Sequence, residues 1–445
     1  MKGGVMTSLE LGLIAFPVML GLILLRVPIM VSMFVVGIIG QFLVMGNWMP
    51  IFAQMKTLSY SSFSSYSLSV VPLFLLMGQF ASRGGLSKAL FEAANKMVGH
   101  RRGGVALSSI AACGGFGAIC GSSLATAATM GQVALPELRK YGYSDRLSTA
   151  VLAAGGTLGV LIPPSVVLVI YAILTEQNIA KLFIVAFVPG FLAVLGYMIT
   201  VAIMVRVGGE KETQNPRASW AERRKALTEI WPVVAIFLTV IGGIYAGWFT
   251  PTEAAAIGAG ATGLVAWLNG GLDRKSFEDA LLEVAVSTAM IFMILLGAAV
   301  FNSFLALTRL PFEAAGFVTE IGLNPWLILT IMLLVYLILG CVMDSLSMII
   351  LTIPVFFPVF QTLDVGLPPE EAALWFGVLV LIVVEVGLIT PPVGLNLFVI
   401  NALAKDVPLS ESFKGVIPFV VSDLIRVVIL MAFPILSLGL LRLLY

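Results

Sequence analysis

Two proline pairs, Pro163-Pro164 and Pro391-Pro392, interrupt stretches that are otherwise long and apolar. Proline has no amide proton and its ring clashes with the preceding turn, so each pair ends a helix. Inside a bilayer the freed carbonyls must be satisfied by protein, water or an ion. The segments GTLGVLIPPS (156–165) and GLITPPVGLN (387–396) each present several such carbonyls. Those of Gly159, Ile162, Gly387, Thr390 and Val393 are candidate sodium ligands, because hard cations take oxygen donors. The competing reading is a structural kink in each of two packed helices. A second group of oxygens lies in GSSLATAATM (121–130), where Ser122, Ser123, Thr126 and Thr129 stand among Gly and Ala. Hydroxyls and helix N-termini at a hairpin tip suit an anionic substrate, although small residues also serve close helix packing. Two carboxylates fall in apolar sequence, and such groups are suspects for function. Asp344 could contact an ion, cap a short helix or fix a second hairpin tip, and Glu385 could orient the second broken loop. Ser122, Ser123, Thr126, Asp344, Ser345 and Asn396 form the candidate substrate set. Asp423 and Arg426, three apart, are expected to pair with each other.

Composition says what must hold these residues. Of 445 residues 59% are hydrophobic and only 11% charged, against roughly a quarter charged in soluble chains. Lipid is therefore the main solvent of the folded chain, and a net charge of +1 gives nucleic acid no basic arm to bind. Cys113, Cys120 and Cys341 lack metal or disulfide spacing and read as small packing residues. The apolar start, Leu9 to Leu25, has no basic n-region or Ala-x-Ala site and reads as a retained span. His100 is the only histidine, and no HExxH, GxSxG or P-loop pattern occurs, which leaves an enzyme without its parts.

A span needs about 20 apolar residues. The segments 9–25, 28–46, 67–82, 181–206, 229–247, 251–269, 280–307 and 413–442 qualify, while 50–66 is polar enough to lie at the interface. Regions 104–136 and 326–360 each suit two short helices. Lys and Arg favour the cytoplasmic side. The first region has Lys96, Arg101 and Arg102 before it and Arg139, Lys140 and Arg146 after it, so both of its ends are cytoplasmic and it is re-entrant. The second is flanked by Glu313, Glu320, Asp364, Glu370 and Glu371, with no Lys or Arg between Arg309 and Lys405, so both of its ends are periplasmic. The linker 207–227, with Lys211, Arg217, Arg223, Arg224 and Lys225, falls in the cytoplasm. Arg309 and Lys181 are periplasmic exceptions.

An internal repeat agrees with this threading. GVLIPPSVV (159–167) matches GLITPPVGL (387–395) at a shift of 228, and SSLA (122–125) matches DSLS (344–347) at 222. VPIMVSMFVVG (27–37) matches TPTEAAAIGAG (250–260) weakly at 223. The predicted fold is an all-α polytopic membrane protein of two inverted repeats, 1–206 and 228–445. Each has five crossings, including a Pro-Pro-broken helix (145–176 and 374–404), and one re-entrant hairpin (104–136 and 326–360). Odd crossings per repeat invert the second copy, an arrangement found in secondary transporters.

These blocks resemble the large membrane subunit of the tripartite ATP-independent periplasmic (TRAP) transporters. The residues that carry the resemblance are VPLFLLMG (71–78), GSSLATAATMGQVALPEL (121–138), GGTLGVLIPPS (155–165), TPTEAAAIGA (250–259) and GLITPPVGLNLF (387–398). The resemblance implies an elevator-type, sodium-driven importer of organic acids in the bacterial inner membrane. It also implies a small membrane subunit and a soluble periplasmic binding protein as partners. Family sodium sites carry over to Ser65, Ser123, Gly159, Ile162 and Pro163 in the first half, and to Gly340, Gly387, Thr390 and Val393 in the second. The small subunit is expected as a separate chain, because no further four-helix block precedes Met1. The rival readings are a stand-alone dicarboxylate or arsenite-type carrier, a membrane-embedded enzyme, and a passive scaffold.

Overall fold

The computed structural model describes residues 7–209, 212–213 and 215–445, so Lys211 of the cytoplasmic linker lies outside the described residues. Among them the chain is helical, with no strand. The first half opens with α1 (Ser8–Leu24) and α2 (Ile29–Met45), then α3 (Met49–Phe63), which bends by 50° through a one-turn 3₁₀ helix into α4 (Val70–Arg83). Next come α5 (Leu86–Val98), the pair α6 (Gly104–Cys120) and α7 (Ser123–Lys140), the pair α8 (Asp145–Leu161) and α9 (Val166–Leu174), and α10 (Ile179–Val207). The second half starts from α11 (Trp220–Glu229), α12 (Trp231–Phe237), a π-helical turn and α13 (Gly243–Tyr245). There follow α14 (Pro251–Leu268), α15 (Arg274–Thr308), α16 (Leu310–Ile321), the pair α17 (Pro325–Gly340) and α18 (Ser345–Gln361), and the pair α19 (Pro369–Gly387) and α20 (Leu395–Leu403). The chain closes with α21 (Leu409–Ala432) and α22 (Ile435–Leu444).

Local chemistry sets these boundaries. Thr250 caps α14 through the Glu253 amide while Glu253 returns a bond to the cap, with Pro251 in the first turn, a reciprocal box that satisfies otherwise orphaned donors. Ser122, Ser165 and Asp344 cap α7, α9 and α18 with their side-chain oxygens. Gly121 turns the first hairpin with φ 66°, a conformation glycine adopts without the cost a Cβ brings. The three cysteines are free and buried, as packing residues.

Two details differ from the sequence reading. The last apolar stretch, 413–442, is two helices: Phe433 leaves helical geometry and Pro434 begins α22, because Pro434 supplies no amide to the preceding turn. The helices α5, α11 and α16 were not anticipated; α5 and α11 pack on each other. By length and composition α10, α15 and α21 can each cross a membrane alone, and three sharply bent pairs, α8 with α9 among them, can cross as broken spans.

The packing falls into two neighbourhoods. The helix α2 lies along α15, and α4 along α14. Both hairpins and both broken pairs gather with α10 and α21, where α8 contacts α6, α7, α20 and α21. The candidate residues lie in this second neighbourhood.

Candidate functional site

The first break follows directly from its prolines. Gly159 and Val160 would normally accept from the amides four residues on, which are Pro163 and Pro164 and have none. Ile162 is extended (φ −95°, ψ 121°), and Ser165 starts α9 at once by accepting from the Leu168 amide at 3.3 Å. The Val160 carbonyl was not singled out from sequence, although the same proline rule points to it.

The second break is built differently. The Gly387 carbonyl accepts from Thr390 N at 3.0 Å, and the Leu388 carbonyl from Asn396 N at 3.0 Å. The Thr390 hydroxyl donates to the Val386 carbonyl at 2.7 Å. Gly394 turns the loop with φ 65° before α20. Residues 163–166 are buried, whereas Pro391 and Pro392 are exposed.

Each hairpin lays a glycine against the glycine that precedes a break. A Cβ on Gly117 would lie 2.6 Å from the Gly159 Cα, and one on Gly387 would lie 2.5 Å from the Gly340 Cα. Only glycine permits so close an approach of two backbones. A Cβ on Gly159 would also meet the Thr126 hydroxyl and, at 2.7 Å, the Ser122 carbonyl. The two hairpin tips face each other across a cavity of about 80 Å³ lined by Gly121, Ser122, Ser123, Asp344, Ser345, Leu346, Val160 and Leu388, among others. Ligand sites usually run to about 300–1,000 Å³, so the space between the tips is small for a ligand site.

The structure separates the two acids. Asp344 caps α18 by accepting from Ser347 N at 3.1 Å, which is the capping role among its alternatives. Glu385 is 1% exposed and its Oε1 accepts from the Ser345 hydroxyl at 2.6 Å. The Ser123 hydroxyl faces the same carboxylate, yet Oε2 forms no hydrogen bond. Glu385 thus ties the second hairpin to α19 two residues before Gly387. Asn396 donates to the Ala153 carbonyl on α8 at 3.2 Å, joining the second broken pair to the first, while its Oδ1 is buried and unbonded.

An oxygen set of this kind fits a hard cation. At the first break, Thr126 Oγ1, buried without a hydrogen bond, packs against the Gly159 backbone, whose carbonyl and that of Val160 lack the usual amide partner. At the second, Thr390 has given its proton to Val386, which leaves its oxygen lone pairs for a cation. Two residues stand apart. Ser65 precedes the largely exposed turn Tyr66–Ser69, makes no side-chain capping bond and lies outside the cavity lining, and Thr129 pairs with the Ser82 hydroxyl at 3.0 Å.

Paired helical hairpins meeting over two proline-broken helices, with every described element an apolar or surface helix, have the architecture of a multi-pass membrane transport protein. Residues 16–436 match the family described as "Tripartite ATP-independent periplasmic transporter, DctM component". The chain belongs to that family, in agreement with the resemblance read from its motifs. It is 38% identical over 380 residues to the C4-dicarboxylate TRAP transporter large permease protein DctM of Pseudomonas aeruginosa, covering 84% of this chain and 86% of that one. It is 31% identical to the sialic acid TRAP transporter large permease protein SiaM of Vibrio cholerae (93% and 95% covered). It is 32% identical to the ectoine/5-hydroxyectoine large permease protein UehC of Ruegeria pomeroyi (94% and 96%). Among solved structures the YdaH transporter of Alcanivorax borkumensis shares the fold, with TM-score 0.60 at 14% identity over 86% of this chain and 88% of that one.

Proposed function

We propose that this chain is the substrate-translocating subunit of a sodium-coupled, binding-protein-dependent importer of organic acids in the bacterial inner membrane. Its partners in this reading are a small membrane subunit and a periplasmic substrate-binding protein. The observation that carries it is the meeting of both hairpin tips over two broken helices, with the side-chain oxygens Thr126 Oγ1, Glu385 Oε2 and Asn396 Oδ1 buried and without hydrogen bonds around them. C4-dicarboxylates, sialic acid and ectoine, named for the relatives, all bear a carboxylate. Such a group suits the hydroxyls of Ser122, Ser123 and Ser345 and the N-termini of α7 and α18.

Sodium at Gly159, Val160 and Thr126, and at Gly387, Thr390 and Val393, neutralises a site with two nearby carboxylates and no cation in its lining. Binding there draws each break onto its hairpin and so prepares the tips for an anion. The opposite charges at the two hairpin bases support an inverted pair of repeats, one opening to each side. The hairpins and broken helices then move together past α2, α4, α14 and α15 as an elevator.

The test is uptake into liposomes under an inward sodium gradient. The chain with its small subunit and loaded binding protein should accumulate substrate, and the chain alone should not. Robust uptake by the single chain would make it a stand-alone carrier. Uptake indifferent to sodium would remove the coupling ion from the reading.

A further inference from the structure

A buried polar chain links the end of the first broken helix to the last long helix. Thr157 lies on α8 two residues before Gly159, and its hydroxyl is 2.9 Å from the Tyr197 hydroxyl on α10. Tyr197 donates to Asp423 Oδ2 on α21 at 2.6 Å. Asp423 Oδ1 holds Arg426 at 2.8 Å, and the guanidinium lies 5.9 Å from the Tyr197 ring centroid. Phe419 meets the same ring edge-on at 5.5 Å. Thr157 and Tyr197 are fully buried, Asp423 is 2% exposed and Arg426 is 6% exposed.

The direction of this chain is set by proton bookkeeping. A carboxylate only accepts, so Tyr197 gives its single proton to Asp423 and turns its oxygen toward Thr157 as an acceptor. Thr157 shares its own proton between Tyr197 and the Ala154 carbonyl, 2.7 Å away. Arg426 balances the charge that makes Asp423 a fixed acceptor. Packing alone would be served as well by Phe and Val at 197 and 157. Polar groups in a lipid-embedded interior are costly unless they bond in a fixed geometry. Thr157 stands immediately before the last turn of α8, the turn that carries the freed carbonyls of Gly159 and Val160. A small rotation of that turn swings both carbonyls.

We propose that Tyr197 is a positioning residue for the cation site at the first break. With Asp423 and Arg426 behind it, Tyr197 holds Thr157 and thereby the rotation that aims the Gly159 and Val160 carbonyls. This inference rests on the sodium reading above. Groups that orient metal ligands from behind typically change metal affinity by about 10- to 100-fold when lost. A site made partly of backbone should sit near the lower bound.

The test uses the purified full chain in detergent, with sodium titrated against choline at constant ionic strength. The readout is the rise in melting temperature with sodium. Tyr197→Phe keeps the ring and its packing, and should raise the sodium concentration at half-effect about 10-fold. Thr157→Val should give the same shift, and the double variant no more than either single one, because one chain is broken once. Tyr245→Phe, at a half-buried tyrosine on α13, should leave the midpoint alone. A lower sodium-free melting temperature with an unmoved midpoint in Tyr197→Phe would reduce Tyr197 to packing and overturn the proposal. Additive shifts in the double variant would overturn the linkage through Thr157. If the unsubstituted chain shows no sodium effect at all, the sodium reading itself fails, which is a separate result.

Discussion

Gly387→Ala tests whether the second hairpin and the second break act as one body. The added Cβ would lie 2.5 Å from both the Cα and the carbonyl carbon of Gly340 and 3.0 Å from its oxygen. Carbon pairs rest at about 3.5–4.0 Å, so the two backbones must separate by about 1 Å. No side chain can rotate away, since every atom met is main chain. Overpacking of this kind costs about 1–3 kcal/mol, and the upper end applies here. The functional loss should be larger, because a misplacement of about 1 Å in a reacting or binding site can reduce rates by up to about 100-fold. The reverse substitution, Gly340→Ala, is milder: its Cβ would meet the Gly387 Cα and the Val384 carbonyl at 3.1 Å. Gly260→Ala on α14 meets nothing within 4 Å and should be neutral or slightly stabilising. The assay pairs melting temperature in detergent with initial uptake in liposomes holding all three components. The expected order of damage is Gly387→Ala, then Gly340→Ala, then Gly260→Ala. If Gly387→Ala matched the parent chain in both measurements, the close glycine contact would have no part in transport.

Thr390→Val keeps the β-branched shape and removes one oxygen. It should raise the sodium concentration for half-maximal uptake roughly 5- to 150-fold, the range of about 1–3 kcal/mol. Thr308→Val, on α15, should change it little, and an unchanged value for Thr390→Val would leave that hydroxyl a structural group. The opposed hairpins can be checked with cysteine labelling at the exposed residues Lys140 and Thr362, since the native cysteines are buried. Label should reach position 140 only from the cytoplasm and 362 only from the periplasm, and the reverse result would exclude inverted repeats.

What could be read from the sequence was what depends on one residue's own chemistry. The paired prolines Pro163-Pro164 and Pro391-Pro392 each end a helix, because two successive amides are missing and two rings clash with the preceding turn. Other prolines gave no such signal: Pro189, Pro354, Pro358 and Pro418 remain inside helices, so the break at Pro434 looked no different from them. The two acids also looked alike, each a carboxylate in an apolar run. Asp344 uses the amide three residues on, whereas Glu385 uses Ser345 forty residues back, and only the fold distinguishes these. The chain through Tyr197 was legible only at its Asp423–Arg426 end, where the partners are three apart in one helix.

The same proline pair gives unequal sites in the two halves, and the residues that follow it are the cause. Ser165 begins α9 immediately, so the first break stays short, buried and rich in free carbonyls. Val393 and Gly394 extend the second loop, which folds back so that Thr390 and Asn396 amides occupy the Gly387 and Leu388 carbonyls. A cation at the first break can therefore rely on backbone oxygen. One at the second has fewer uncommitted carbonyls and needs a side chain. At the aligned position, the first half has Ile162 and the second has Thr390, so the hydroxyl appears on the side where the backbone has been used up. Under the proposed sodium coupling, that asymmetry is why the Thr390 substitution should act on sodium affinity rather than on folding, and why the first site would need no hydroxyl at Ile162.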